Sequence, residues 1–79
     1  MTITPTQIRG ARAMLRMTQE NLAAKAGLSQ RSLAMIETEA AKPREGTLER
    51  LRSALEEVGA VFIESDGGVG VLLRPDAIQ

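Results

Sequence analysis

A chain of 79 residues makes one small domain, whose core needs close packing or help from a second subunit. Hydrophobic residues make up 43% of it, yet Phe62 is its one aromatic, and Cys, His, Trp and Tyr are absent. That composition excludes a disulfide framework and a thiolate metal site, removes imidazole as ligand or general base, and favours short helices over a β-sandwich. The formal net charge is zero, but it is unevenly spread. Residues 1–44 carry seven Lys and Arg against three Glu, and residues 45–79 carry three Arg against seven acids. Such an asymmetry can aim one basic face at an anionic partner while the acidic part stays away.

The segment Thr4-Pro5-Thr6-Gln7 reads as a helix start: Thr4 at the N-cap, Pro5 at the first helical position, Gln7 completing a capping box. The helix that follows carries Ile8, Ala11 and Leu15 on one stripe and is expected to end near Met17. Thr18 caps a second helix over residues 19–26, with Leu22, Ala23 and Ala26 inward, and Gly27 supplies its left-handed C-terminal position. Ser29 caps a third, about residues 30–38, with Leu33 and Ile36 inside. Residues 39–44 are a connection containing Pro43. A fourth helix over residues 45–57 buries Leu48, Leu51, Leu55 and Val58, and Gly59 stops it. Residues 60–63 and 69–73 are β-branched or apolar runs around the turn signal Asp66-Gly67-Gly68, a β-hairpin pattern.

The functional unit is expected in residues 19–38, two short helices joined by Gly27-Leu28-Ser29. Ala23 is small where a second helix must cross closely, and Leu22, Ala26, Leu28, Leu33 and Ile36 form an apolar underside. With Leu33 at 0° and steps of about 100° per residue, Arg31, Met35 and Thr38 fall opposite the core, with Ser32 and Ala34 on the flanks. Arg12 falls about 40° from Ile8 on the first helix, and Glu37 about 40° from Leu33 on the third. A lone charge beside the core is costly, so the two are expected to form a structural salt bridge.

The run QENLAAKAGLSQRSLAMIE at residues 19–37 resembles the phage repressor/Cro-like, or XRE-type, helix-turn-helix family, and the resemblance extends over residues 7–58, including Thr47-Leu48-x-x-Leu51. It implies a mainly α fold, a four- to five-helix repressor-like DNA-binding domain over residues 1–59; the C-terminal β-hairpin tail at 60–79 lies outside the family's common core and resembles the C-terminal strands of some short bacterial members. It also implies that the third helix enters the major groove of double-stranded DNA. Base-edge contacts then fall to Gln30 and Arg31, whose groups match adenine and guanine, with Met35 offering apolar contact to a thymine methyl. Ser32 and Thr38 lie on the same exposed side. Gln19 and Ser29 are expected near phosphates, and Lys42 and Arg44 at phosphates or a minor-groove edge. Similar proteins of this family also carry an ion pair like Arg12–Glu37.

One short recognition helix covers only a few base pairs, so a homodimer on a palindromic operator is expected. The hairpin residues Val61, Phe62, Ile63, Val69, Val71, Leu72 and Leu73 supply apolar surface for it. The leading expectation is a repressor or controller of transcription. The alternative is an antitoxin or antiactivator that uses the same fold to hold a protein partner. Neither a phosphate-cradling glycine loop nor paired acids are seen, so no enzyme, cofactor or metal is expected. With no signal peptide and no membrane-length apolar run, a cytoplasmic, nucleoid-associated location is the expectation.

Overall fold

A computed structural model describes residues 2–77. Four helices, α1 (Pro5–Met14), α2 (Gln19–Ala26), α3 (Gln30–Glu37) and α4 (Glu45–Glu57), precede an antiparallel hairpin of β1 (Ala60–Ser65) and β2 (Gly68–Leu73) and a 3₁₀ turn, Pro75–Ala77. The mainly helical architecture with a C-terminal hairpin matches the expectation.

Local chemistry accounts for the boundaries of the first three helices. At α1 the Gln7 amide donates to Thr4 Oγ1 (3.2 Å) and the Thr4 amide donates to Gln7 Oε1 (2.9 Å), so two otherwise orphaned donors are satisfied reciprocally. Thr18 and Ser29 cap α2 and α3 through the amides of Asn21 (3.0 Å) and Ser32 (3.0 Å). The first three helices end in the same way. A left-handed residue closes each of them, at the cap of α2 and just after the cap of α1 and α3, and the amides there fold back onto the carbonyls of the last turn. At α2 that residue is Gly27, at φ 75°, with the Leu28 amide on Ala23 O (2.8 Å). At α1 it is Arg16, φ 57°, with the Met17 amide on Arg12 O (2.9 Å); at α3 it is Glu39, φ 62°, with the Ala40 amide on Met35 O (2.9 Å). This reversal stops α1 at Met14, one turn earlier than expected, and stops α3 at Glu37 with Thr38 as its cap. The early stop escapes a reading of hydrophobic periodicity because Leu15 and Met17 still pack on the core from outside the helix.

The core is aliphatic, as the composition requires. Ile8 and Ala11 of α1, Leu22, Ala23 and Ala26 of α2, Leu33 and Ile36 of α3, and Leu51, Ala54 and Leu55 of α4 form one cluster, closed by Ile3 from the N-terminal segment. At roughly 1.5–3 kcal/mol for each fully buried aliphatic side chain, this cluster is the main stabilising term. Leu48 packs only partly against it, and Val58 is half-buried.

The hairpin belongs to the same core. Its register pairs Ala60 with Leu73, Val61 with Leu72, Phe62 with Val71 and Ile63 with Gly70, so the pleat puts Ala60, Phe62, Val71 and Leu73 on one face. Phe62 is 7% exposed within the helical cluster and Val71 packs against it. The hairpin packs on α1 through β2 and on α4 through β1. Its loop is just Asp66-Gly67, so both strands run one or two residues further toward the turn than their apolar pattern indicates. Gly59, at φ 118°, ends the reversal out of α4; a side chain there would occupy the space taken by Ala77 of the 3₁₀ turn.

Candidate nucleic-acid interface

The two helices α2 and α3, with the turn Gly27-Leu28-Ser29 between them, present a buried side and an exposed side. Leu33, Ile36 and Glu37 of α3 are buried, and the residues between them are not. Gln30, Arg31 and Ser32 in the first turn of α3 are exposed, and Met35, one turn on, is 38% exposed. Arg31 has no ion-pair or hydrogen-bond partner among the described residues, so its guanidinium projects with all its donors open. Lys42 and Arg44, in the connection between α3 and α4, are likewise exposed and without a partner among the described residues. These three cations therefore lie on α3 and its following loop, free to meet an anion.

Other expected contact residues are engaged within the chain. The Ser29 hydroxyl caps α3 and donates to Ser32 Oγ (2.9 Å), leaving the two hydroxyls as a local pair. The Thr38 hydroxyl donates back to Ala34 O (3.0 Å) and lies within reach of Met35 O (3.3 Å), which turns it toward its own helix. Gln19, the first residue of α2, is half-buried, and its Nε2 donates to Glu37 Oε1 (2.9 Å).

That last bond belongs to a network that holds α3 in place. Glu37 is 2% exposed, and a carboxylate so buried needs compensation. Arg12 supplies a fork, Nε to Oε2 at 2.9 Å and Nη2 to Oε1 at 3.0 Å. Its Nη1 donates to Met17 O (3.1 Å), and Arg9 Nη1 donates to the backbone carbonyl of Glu37. Both carboxylate oxygens thus accept charge-assisted bonds, and no buried polar side-chain atom among the described residues is left unpaired. Arg12 ties α1 to both the lead-in of α2 and the end of α3, and Arg9 adds a second tie from α1 to α3, so the exposed side of α3 is held at a set angle by groups on its buried side.

Sequence reasoning reaches Arg12 and Glu37 but misses three partners. Arg9 and Gln19 join the network through single hydrogen bonds to Glu37. Gln7, 2% exposed, reaches the other way, its Nε2 donating to Ile63 O (3.2 Å) and Gly70 O (3.0 Å) of the hairpin. A signal for Gln7 existed: it falls about 40° from Ala11 on the helix, within the apolar stripe, just as Arg12 does.

The seven hairpin residues expected at a dimer contact divide in two. Phe62 is buried in the domain's own core, and Val71 and Leu73, on the same face of the pleat, are half-buried, Val71 packing against that core. The physical reason is the period of two along a strand, which an inventory of apolar residues does not resolve. Val61, Ile63 and Leu72 lie on the opposite face at 38%, 43% and 54% exposure, and Val69, near the turn, is 46% exposed.

Among the described residues no helix is long and apolar enough to cross a membrane, and no group of three or more acids could hold a metal ion. Residues 8–61, more than half the chain, match the helix-turn-helix family model. No curated protein matches the chain.

Proposed function

Since the chain belongs to the XRE-type, Cro-like helix-turn-helix family of DNA-binding regulators, we propose that it binds a palindromic DNA operator as a homodimer and represses or controls transcription from it. The observation that carries this reading is the division of α3: Leu33, Ile36 and Glu37 are locked inside, while Gln30, Arg31, Ser32 and Met35 stand exposed on a rigid support. In this reading the first turn of α3 lies in the major groove. Arg31 forks onto guanine O6 and N7, Gln30 pairs with an adenine edge and Met35 touches a thymine methyl. Lys42 and Arg44 neutralise phosphates and set affinity without reading sequence. Gln19, with one amide hydrogen committed to Glu37, holds its second toward a phosphate at the start of α2. Ser29 and Thr38 act first as helix-end groups, and any phosphate contact of theirs adds to that role. A repressor of this kind works in the cytoplasm, on the nucleoid.

The test is selection of bound duplexes from a random library, followed by gel shifts over a range of salt. Arg31→Ala is expected to cost about 1–3 kcal/mol and relax preference at one base position. Lys42→Ala should weaken every sequence to a similar degree and lower the salt slope by about 1. Should both substitutions leave binding unchanged, the assignment of α3 and its loop to DNA fails. The second reading, an antitoxin or antiactivator, draws on the exposed apolar side of the hairpin; co-purification with a protein encoded beside this chain, without DNA binding, would favour it.

A further inference from the structure

We infer that the pocket between the N-terminal segment and the α3–α4 connection binds a free apolar α-amino acid, and that its occupation draws Lys42 away from DNA. The effect on DNA rests on the DNA-binding reading above; the ligand site does not.

The pocket encloses about 350 Å³, toward the small end of sites that take small molecules. Its lining is mostly apolar: Ile3, 3% exposed, and the half-buried Pro5, Ala41, Pro43 and Leu48. The walls are shaped before any ligand arrives. Two proline rings fix their own backbone angles. The amides of Ala40 and Ala41 both donate to Met35 O (2.9 and 3.2 Å), which ties the connection to the last turn of α3. A ligand therefore binds without having to order the loop.

Two opposite charges share this pocket without meeting. Glu39 and Lys42 both line it, both are exposed, and neither side chain has an ion-pair or hydrogen-bond partner among the described residues. The left-handed backbone at Glu39, φ 62°, fixes where its side chain leaves the loop. The cleft between α2 and α4 shows the alternative arrangement. There Lys25 and Glu57 line the cleft and close on each other at 3.1 Å.

A carboxylate and an ammonium held apart over an apolar lining suit a ligand with the reversed pair beside an apolar group. A free apolar α-amino acid has that pattern. Its ammonium meets Glu39, its carboxylate meets Lys42, and its side chain lies against Ile3 and Leu48. A purely apolar ligand leaves both charges unused, and a phosphate is repelled by Glu39.

Lys42 is also one of the three open cations assigned to DNA. An ammonium held by a carboxylate in the pocket is lost to a phosphate, so ligand and DNA oppose each other, and by linkage each weakens the other equally. The loss is that of one phosphate contact per subunit, felt by every DNA sequence alike.

The experiment titrates the full chain with L-valine, L-leucine, L-isoleucine and L-methionine and follows backbone amide resonances by NMR. At least one of the four is expected to give saturable shifts at Ala41, Lys42 and Leu48, with Val61 and Leu72 of the hairpin unmoved. With leucine as the reference, 4-methylpentanoate lacks the ammonium and 3-methylbutylamine lacks the carboxylate. Each should bind about tenfold more weakly or worse, as should leucine to Glu39→Gln, because one charge-assisted bond is gone. Unmoved hairpin resonances report that the variant is folded. In gel shifts on a duplex recovered by selection, saturating amino acid should lower affinity and salt slope as far as Lys42→Ala does, and should leave that variant's own binding unchanged. Absence of saturable binding by all four overturns the inference, as does equally tight binding by either truncated ligand or by Glu39→Gln. Binding that leaves DNA affinity unchanged overturns the coupling through Lys42. A chain that binds the amino acid and selects no DNA sinks the DNA-binding reading and leaves the ligand site standing.

Discussion

The helix-turn-helix and the hairpin each carry side chains that do not suit their surroundings, and they resolve the mismatch differently. Around α3 the awkward groups are polar and buried. Glu37 would be costly inside the domain, and it is met by Arg12, Gln19 and, through its backbone, Arg9. On the hairpin the awkward groups are apolar and exposed: Val61, Ile63 and Leu72 keep 38%, 43% and 54% of their surface open among the described residues. The contrast teaches where each part is complete. The helix-turn-helix satisfies its buried groups within the domain and leaves only its outer side open, whereas one face of the hairpin is packed and the other stays exposed.

The largest way to break this comparison is to remove the carboxylate that organises α3. Glu37→Ala strands the Arg12 guanidinium and is expected to destabilise the domain by about 3–5 kcal/mol in urea unfolding. The double variant Arg12→Met, Glu37→Met should lose much less than the sum of its parts, since neither charge is then left alone. Additive losses would show that the two residues act independently.

The hairpin offers the next contrast, between its two faces. Phe62→Ala is expected to cost about 3–5 kcal/mol, because it opens a cavity in the shared core. Val61→Thr, one residue earlier on the other face, should change monomer stability by no more than about 0.5 kcal/mol. Equal losses in equilibrium unfolding would mean that the two faces are not divided as described.

The smallest effect concerns helix ends. Arg16 and Glu39 hold left-handed backbone that a glycine adopts without steric strain. Arg16→Gly is therefore expected to raise stability by up to about 1 kcal/mol, the relief of strain being partly offset by the greater freedom of glycine when unfolded. A loss in thermal unfolding would show that the Arg16 side chain stabilises the end of α1 by more than its backbone strain removes.

Much of this architecture was legible in the chain. Thr4, Thr18 and Ser29 mark the starts of α1, α2 and α3, because a hydroxyl before an apolar period of 3.6 has one favourable use, to bind the first free amides. Gly27 marks the end of α2 for an equally local reason. The ends of α1 and α3 were less legible, since Arg16 and Glu39 take the same backbone conformation without the residue that announces it. In the candidate site, Arg12 and Glu37 declared themselves as charges within an apolar stripe. Their partners Arg9 and Gln19 did not, because nothing in local spacing sets which distant amide or guanidinium reaches a given carboxylate.

By itself, then, the amino-acid order determined what depends on neighbours within one or two turns: helix starts, the stripe that faces inward, the strand-turn-strand of the hairpin, and Arg31 opposite Leu33. Only the packed chain decided which side of the hairpin is consumed by the domain's own core, and that Gln7 and Glu37 are the buried joints linking α1 to the hairpin and to α3. The reason is that periodicity assigns residues to faces, whereas the identity of what each face meets depends on contacts between segments far apart along the chain.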